Sequence, residues 1–338
     1  YEMTSSLVGS EMCIRDRLTT VLNNSDQRYL IYVDIPSIYM FFDKLNLPEN
    51  CNLLKYPHYI NWKNANKAKQ FIWNQLEHID IKSITFYHTA YGELATWLIS
   101  KYSRNTTIYF QSPFPSFCFK KRISLKALKL FLVYKIIYNT DIIPMDSGNN
   151  TLPSISPKFF KKNNVINKNA MVDNDLVCNY VNEKLNLNNN NRSILLVTGS
   201  NITAGFCDET DYGKIINSIL SALGKDKFMV KCHPRFDDLL SIEKMLPAIP
   251  KYIPGNVILP LFDCYIGLCS ALLIEAANVG KCSISILNLL NIDFKLKSVL
   301  KDSLEVRLKS GSTIYYPNSI SELNDIVKRS CNNNITMI

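Results

Sequence analysis

The chain has 338 residues, 47% hydrophobic and 20% charged, an ordinary globular mixture long enough for two domains and unlike collagen, coiled coil or disordered sequence. Its formal charge of +9, from 38 Lys and Arg against 29 Asp and Glu, turns the surface toward anionic partners such as phosphates, acidic glycans or anionic lipid. The basic residues are scattered rather than gathered into a nucleic-acid motif, so no nucleic-acid partner is expected.

Ten Cys without a C-x-x-C pair, and four His without zinc-site spacing, predict reduced thiols and no metal site, the usage of a cytoplasmic protein. No apolar run reaches the ~18 residues that cross a bilayer, so the protein is expected to be soluble or peripheral at the inner membrane face. Residues 1–17 (YEMTSSLVGSEMCIRDR) lack a start Met and any periodicity joining them to the residues from 18 onward. They resemble translated adapter read-through and are expected to lie outside the fold.

In chain order, RYLIYVDI (28–35) is a β-branched apolar run ended by Pro36, and Lys67–His78 has helical apolar spacing. SITFYH (83–88) is a second strand, Ala90–Tyr102 an amphipathic helix, TTIYF (106–110) a third strand, and Ile123–Tyr138 a long apolar helix. Met145–Gly148 is turn-rich. Composition then shifts to Asn and Lys, so residues 18–165 form one α/β domain and 166–192 a linker. Residues 193–338 form a second α/β domain, with SILLVTGS (193–200), a helix from about Asp211 to Leu223, FMVKCHP (228–234), a helical stretch from about Asp237 to Leu246, then YIPGNVI, DCYIGLCSALLIEAANVG (263–280) and KCSISIL (281–287). In such a layout ligands gather at the carboxyl ends of parallel strands.

Three strand ends carry the chemistry. In FMVKCHPR, Pro234 stops the strand and presents His233 and Arg235, a hydrogen-bonding pair for a phosphate with Lys231 beside them; a His that merely caps a strand end is the alternative. Ser270, after Cys269, stands where the N-cap of an Ala-rich helix containing Glu275 belongs, so hydroxyl and helix amides can face an anion together, or simple capping suffices. Gly199 and Ser200, at the end of the first strand of this half, permit close approach of a ligand, or only a turn.

The ordered set LLVTGSN, MVKCHPR, YIPGNVI and GLCSALLIEAANVGKCSISIL, spanning Ser193 to Leu287, resembles the C-terminal half of the bacterial sialyltransferase and polysialyltransferase families, which include lipooligosaccharide sialyltransferases. The His-Pro dipeptide is shared with the glycerophosphate-polymer transferases of teichoic acid synthesis. The resemblance implies a GT-B-like α/β fold, two Rossmann-like domains facing an interdomain cleft, and metal-independent inverting transfer of sialic acid from CMP-sialic acid to a glycan or glycolipid. It places His233 and Ser270 on the donor phosphate, with Gly199, Ser200, Lys231, Pro234, Arg235, Cys269 and Glu275 around the donor. Cys269 departs from the Ser pair expected there. The family's base is the first acid of an acid-acid-Gly motif, matched here by Asp146-Ser147-Gly148 with Ser as its middle residue. Glu93, at a strand end, is the rival base, although Asp146 also fits an Asx turn and Glu93 a helix-dipole partner. Other readings keep the fold with a CDP-glycerol or UDP-sugar donor, or make the chain a non-catalytic nucleotide- or glycan-binding module.

Overall fold

The computed structural model describes residues 2–6, 12–33, 36–55, 65–81, 83–86, 107–110, 132, 136, 145–146, 153–154, 173–187, 192–199, 201–233 and 244–333. The chain divides into two compact units, Tyr1–Val177 and Cys178–Ile338.

In the first unit, strands β1 (Glu2–Ser6), β2 (Tyr29–Val33), β3 (Cys51–Leu53), β4 (Ser83–Phe86) and β5 (Thr107–Phe110) form a five-stranded sheet in the order β3-β2-β1-β4-β5. Every pairing in it is parallel. All five residues of β2 are buried, the unbroken apolar run expected of a parallel strand covered on both faces. Helix α1 (Met12–Asn23) buries Ile14, Leu18 and Val21, spaced for one helical face. Helix α2 (Pro36–Lys44) starts on a proline, whose missing N–H costs nothing there, and buries Ile38, Phe41 and Phe42. Ala68, Ile72 and Leu76 are the buried stripe of α3 (Ala65–Leu76).

The structure differs from the sequence expectation at both ends of this unit. The described residues of 1–17 do not stand outside the fold: β1 is the middle strand, its Glu2 in register with Tyr29 on one side and Ser83 on the other. An order in which β2 and β4 do not touch leaves a slot that only an extended segment can fill. The stretch expected as a linker, 166–192, contains helix α4 (Asn174–Leu185), and the division between the units falls within that helix. Val177, Cys178 and Val181 are buried along it, so this Asn- and Lys-rich segment packs through one face. The expected turn at Met145–Gly148 begins with a two-residue strand, β6 (Met145–Asp146), antiparallel to β7 (Pro153–Ser154). Ala90–Tyr102 lies outside the described residues; within Ile123–Tyr138, Leu132 and Ile136 are described, both helical and exposed.

The second unit repeats the plan with β8 (Ile194–Val197), β9 (Phe228–Lys231), β10 (Ala248–Ile249), β11 (Cys264–Gly267) and β12 (Cys282–Ser285) in the order β10-β9-β8-β11-β12. A parallel bridge, Ile284 to Tyr315, continues the sheet beyond β12. Helix α5 (Glu209–Leu223) begins earlier than its apolar periodicity, because Asp208 caps it, accepting from the Thr210 and Asp211 amides at 2.8 and 3.1 Å. Helices α6 (Ala271–Asn278), α7 (Phe294–Glu305) and α8 (Ile320–Asn333) complete the unit. YIPGNVI leads into a 3-10 segment, Gly255–Leu261, and residues 244–246 of the expected helical stretch form a turn. Two such sheets, each with its first strand central and its order reversing between first and fourth strands, are Rossmann-like units.

Candidate functional site

The chain order of the second sheet fixes where a ligand belongs. From β8 the chain moves outward to β9 and β10, then returns to the other side of β8 with β11, so the crossovers diverge between β8 and β11. Beyond the carboxyl ends of those two strands the connecting segments part and leave a crevice. Register then places the candidate residues. Val197 pairs with Lys231 on one side and Gly267 on the other, so Gly199, His233 and Cys269 each lie two residues beyond the same row, at the same edge. With neighbouring strands about 5 Å apart, the ends of β9 and β11 are roughly 10 Å apart, short enough for an imidazole and a hydroxyl to approach one phosphate from two sides. His233, Cys269 and Ser270 are all half-buried there, neither lost in the core nor fully in solvent.

The edge is held closely. A Cβ on Gly267 would meet the Val197 carbonyl oxygen at 2.8 Å, so β11 can end this near β8 only as glycine. Ser285 donates its hydroxyl to the Leu268 carbonyl at 2.6 Å, and Ser283 donates to the Leu273 carbonyl at 2.8 Å, tying β12 to the approach and first turn of α6. Both serines are fully buried.

Ser270 has the extended backbone of an N-cap, and its Oγ accepts from the Leu272 amide at 3.3 Å. Its carbonyl takes the Leu273 amide at 3.1 Å. Capping therefore occupies two first-turn donors, while the hydroxyl proton and the positive end of the helix remain to meet an anion. Cys269 Sγ lies 3.7 Å from Ser303 Oγ of α7. Burial raises its thiol pKa, against the lowering pull of the Ser303 hydrogen bond and the Arg307 charge, so the group stays neutral and adds no repulsion toward phosphate. Neither Ser303 nor Arg307 carries a motif, and only the packing of α7 against α6 brings them to this place.

Lys231 is 3% exposed, its ammonium donating to the Cys232 carbonyl at 2.9 Å and reaching toward that of Lys251 at 3.5 Å. It straps the end of β9 to the segment that follows β10. Glu275 is 8% exposed on the second turn of α6. Gly199 is backed by the buried Asn201, whose amide would lie 3.0 Å from a Cβ at that position. Ser200, Pro234, Arg235 and Glu93 lie outside the described residues, and Asp146 belongs to β6 of the first unit. Among the described residues no group of three or more His, Cys, Asp or Glu is placed to hold a metal ion, and no helix is long and apolar enough to cross a membrane. A cavity of about 350 Å³ opens at the opposite end of β8, beside Leu223, Lys227 and Val327, and none of its lining residues belongs to this edge.

No protein-family profile matches the chain, and no curated protein sequence matches it. Among solved structures, UDP-GlcNAc 2-epimerase from Methanocaldococcus jannaschii superposes with a TM-score of 0.50 at 14% identity, over 97% of this chain and 92% of that one. The wall teichoic acid polymerase TagF gives 0.47 at 10% identity over 99% and 89%. E. coli ADP-heptose LPS heptosyltransferase II gives 0.46 at 8% identity over 99% of each chain. The likeness to the epimerase is one of fold: this chain is an α/β protein of the GT-B class, built from two Rossmann-like units.

Proposed function

We propose that the chain is a glycosyltransferase acting on a nucleotide-activated donor, and that this donor is CMP-sialic acid. The observation that carries the reading is the shared placement of His233 and Ser270, both half-buried, at the carboxyl edge that flanks the strand-order reversal of the second sheet. A nucleotide phosphate seated there meets the Ser270 hydroxyl and the positive end of α6 on one side and the imidazole on the other. In the reaction a carboxylate of the first unit, Asp146 or Glu93, takes the proton of an acceptor hydroxyl, and that oxygen attacks the anomeric carbon. The bond to CMP breaks, and the charge growing on the departing phosphate is met by His233 and the helix terminus. Gly199, Ser200, Pro234 and Arg235 border the donor in this scheme, while Lys231, Cys269 and Glu275 shape the edge behind it. The acceptor is a glycan or glycolipid, and no metal takes part.

Release of CMP from CMP-sialic acid should fall by about 10² to 10⁴ in His233→Ala, with the thermal midpoint unchanged. Equal turnover in the variant would remove His233 from the reaction. A second reading keeps the fold and changes the donor to a UDP-sugar. It is favoured by Cys269, which stands where the resembled families have serine, and by the fold likeness to an enzyme whose name specifies UDP-GlcNAc. Ligand-induced thermal shifts separate the two, since CMP should stabilise the protein more than UDP under the first reading and less under the second. Stabilisation by a nucleotide without transfer to any acceptor would instead make the chain a binding module, the reading that Ser147 and Cys269 leave open.

A further inference from the structure

The amino edge of the second sheet, at the far end of β8 from His233 and Ser270, holds a cation that nothing in the chain answers. Arg192 stands two residues before β8 and is half-buried, its Nε and Nη1 enclosed and, among the described residues, without a hydrogen-bond partner. An arginine side chain is always cationic in a protein, and an enclosed charge without compensation destabilises a fold until something from outside completes it. The Ser193 carbonyl accepts the Asp263 and Cys264 amides at 2.9 and 3.1 Å, so the ladder begins one residue before β8, and strand alternation puts Arg192 on the same face as Ile194.

That face borders the cavity of about 350 Å³. Ile194, Leu223 of α5 and Val327 of α8 form its apolar wall, and Lys227 and Lys328, both exposed, line it with two ammonium groups. Neither lysine has a carboxylate within ion-pair distance among the described residues. The acids nearest in sequence are placed elsewhere. Asp226 turns Oδ1 back over Gly224, where a Cβ would meet it at 2.9 Å, and Asp263 Oδ1 lies 3.9 Å from the Lys281 ammonium. Asp325 is exposed, about 100° around α8 from the cavity-lining Asn324. We infer that this cavity binds a small phosphate monoester with an apolar organic part, its head set against Arg192, Lys227 and Lys328 and its carbon body against Ile194, Leu223 and Val327. Three cations favour a dianionic head over a single carboxylate. The site is separate from the carboxyl edge, and the inference does not depend on the transfer reaction.

The probe is phenyl phosphate, titrated into the full chain in a calorimeter beside inorganic phosphate and benzyl alcohol. Phenyl phosphate should bind about tenfold or more tightly than inorganic phosphate, because the ring adds apolar burial, and the uncharged alcohol should give no signal. Arg192→Met keeps the bulk and removes the charge, so it should abolish the binding while the ligand-free protein melts at the wild-type temperature or above. The exposed pair Lys227→Gln and Lys328→Gln should weaken binding about tenfold or more without moving the melting temperature. Saturating CMP should leave the phenyl phosphate titration unaltered. Phenyl phosphate that does not bind wild-type protein at millimolar concentration, binds the Arg192 variant as tightly, or is displaced by CMP overturns the inference. If Arg192→Met melts lower, the lysine pair decides, and undiminished binding there overturns it equally.

Discussion

The two sheets share one strand order and differ in how deeply the side chains that fasten them are buried. In the first unit the fastenings among described residues lie in exposed or half-buried places: beyond the carboxyl end of β3, Gln75 of α3 accepts from the Lys55 amide at 2.7 Å and donates to the Lys55 carbonyl at 3.2 Å. Asn50, just before β3, donates its side-chain amide to the Asn24 and Gln27 carbonyls at 3.2 and 3.0 Å, and Tyr29, at the start of β2, reaches Gln27 with its hydroxyl. In the second unit several are buried, at the carboxyl ends where Ser285 holds Leu268 and Lys231 holds Cys232, and on the amino side of β11 where the Tyr265 hydroxyl donates to the Leu259 carbonyl at 2.7 Å. A common topology does not dictate how its strand ends are fastened; side chains decide it. The second unit places the buried hydroxyl of Ser285 on the edge where ligands collect.

The strongest way to break this contrast is at the close approach of β8 and β11. Gly267→Ala puts a methyl against a backbone carbonyl that cannot step aside, so it should cost about 3 kcal/mol or more in chemical denaturation and abolish nucleotide-induced stabilisation. Gly255→Ala is the matched control. Its Cβ would meet Leu272 Cδ2 at 2.7 Å, the far end of a side chain able to rotate, so the loss should be far smaller. Next comes Ser285→Ala, which strands the buried Leu268 carbonyl and should cost about 2 kcal/mol while lowering nucleotide affinity. Asn50→Ala, at an exposed fastening of the other unit, should cost less and leave nucleotide affinity alone. Wild-type affinity in the Ser285 variant would show that the fastened edge is not a ligand edge.

Helix caps sharpen the comparison at a smaller scale. Ser270→Ala and Asp208→Ala should each cost about 1 kcal/mol, since both remove an N-cap acceptor, but only the first should weaken nucleotide-induced thermal shifts. The last effect vanishes at neutral pH and belongs to the first unit. Burial pushes the Cys51 thiol up to about 12 from its ordinary 9.0. Above pH 9 the unfolded chain loses that proton while the folded chain keeps it, so folding stability should decline between pH 9 and 12. Urea unfolding should track this decline, and Cys51→Ala should flatten it; an equally steep loss in the variant would assign the alkaline sensitivity elsewhere.

Much of the second unit is legible in the sequence because each element there obeys one local rule. The four short runs that read as strands are β8, β9, β11 and β12, and Ser270 reads as a cap and is one. The beginning of α5 is harder to place, because apolar spacing starts at Tyr212, whereas the capping carboxylate of Asp208 starts the helix. The segment from Gly255 is harder still, its form depending on Leu272 packing against a bare glycine, a contact distant in sequence. α4 is masked because its buried Val177, Cys178 and Val181 are diluted by Asn and Lys. At the site, the strand ends that gather His233, Gly199 and Ser270 follow from the strand pattern. The contribution of Ser303 and Arg307 is not, since nothing in the sequence of α7 announces which helix it will lie against.

The bridge between Ile284 and Tyr315 has a consequence for the molecule in a crowded solution. Its two hydrogen bonds, from the Ser285 amide to the Tyr315 carbonyl at 2.8 Å and from the Tyr315 amide to the Ser283 carbonyl at 2.9 Å, occupy the outer rim of β12. The opposite rim is the two-residue β10. A foreign strand seeking to extend this sheet thus finds one border already taken and the other too brief to grip, which guards the unit against fibril-like accretion.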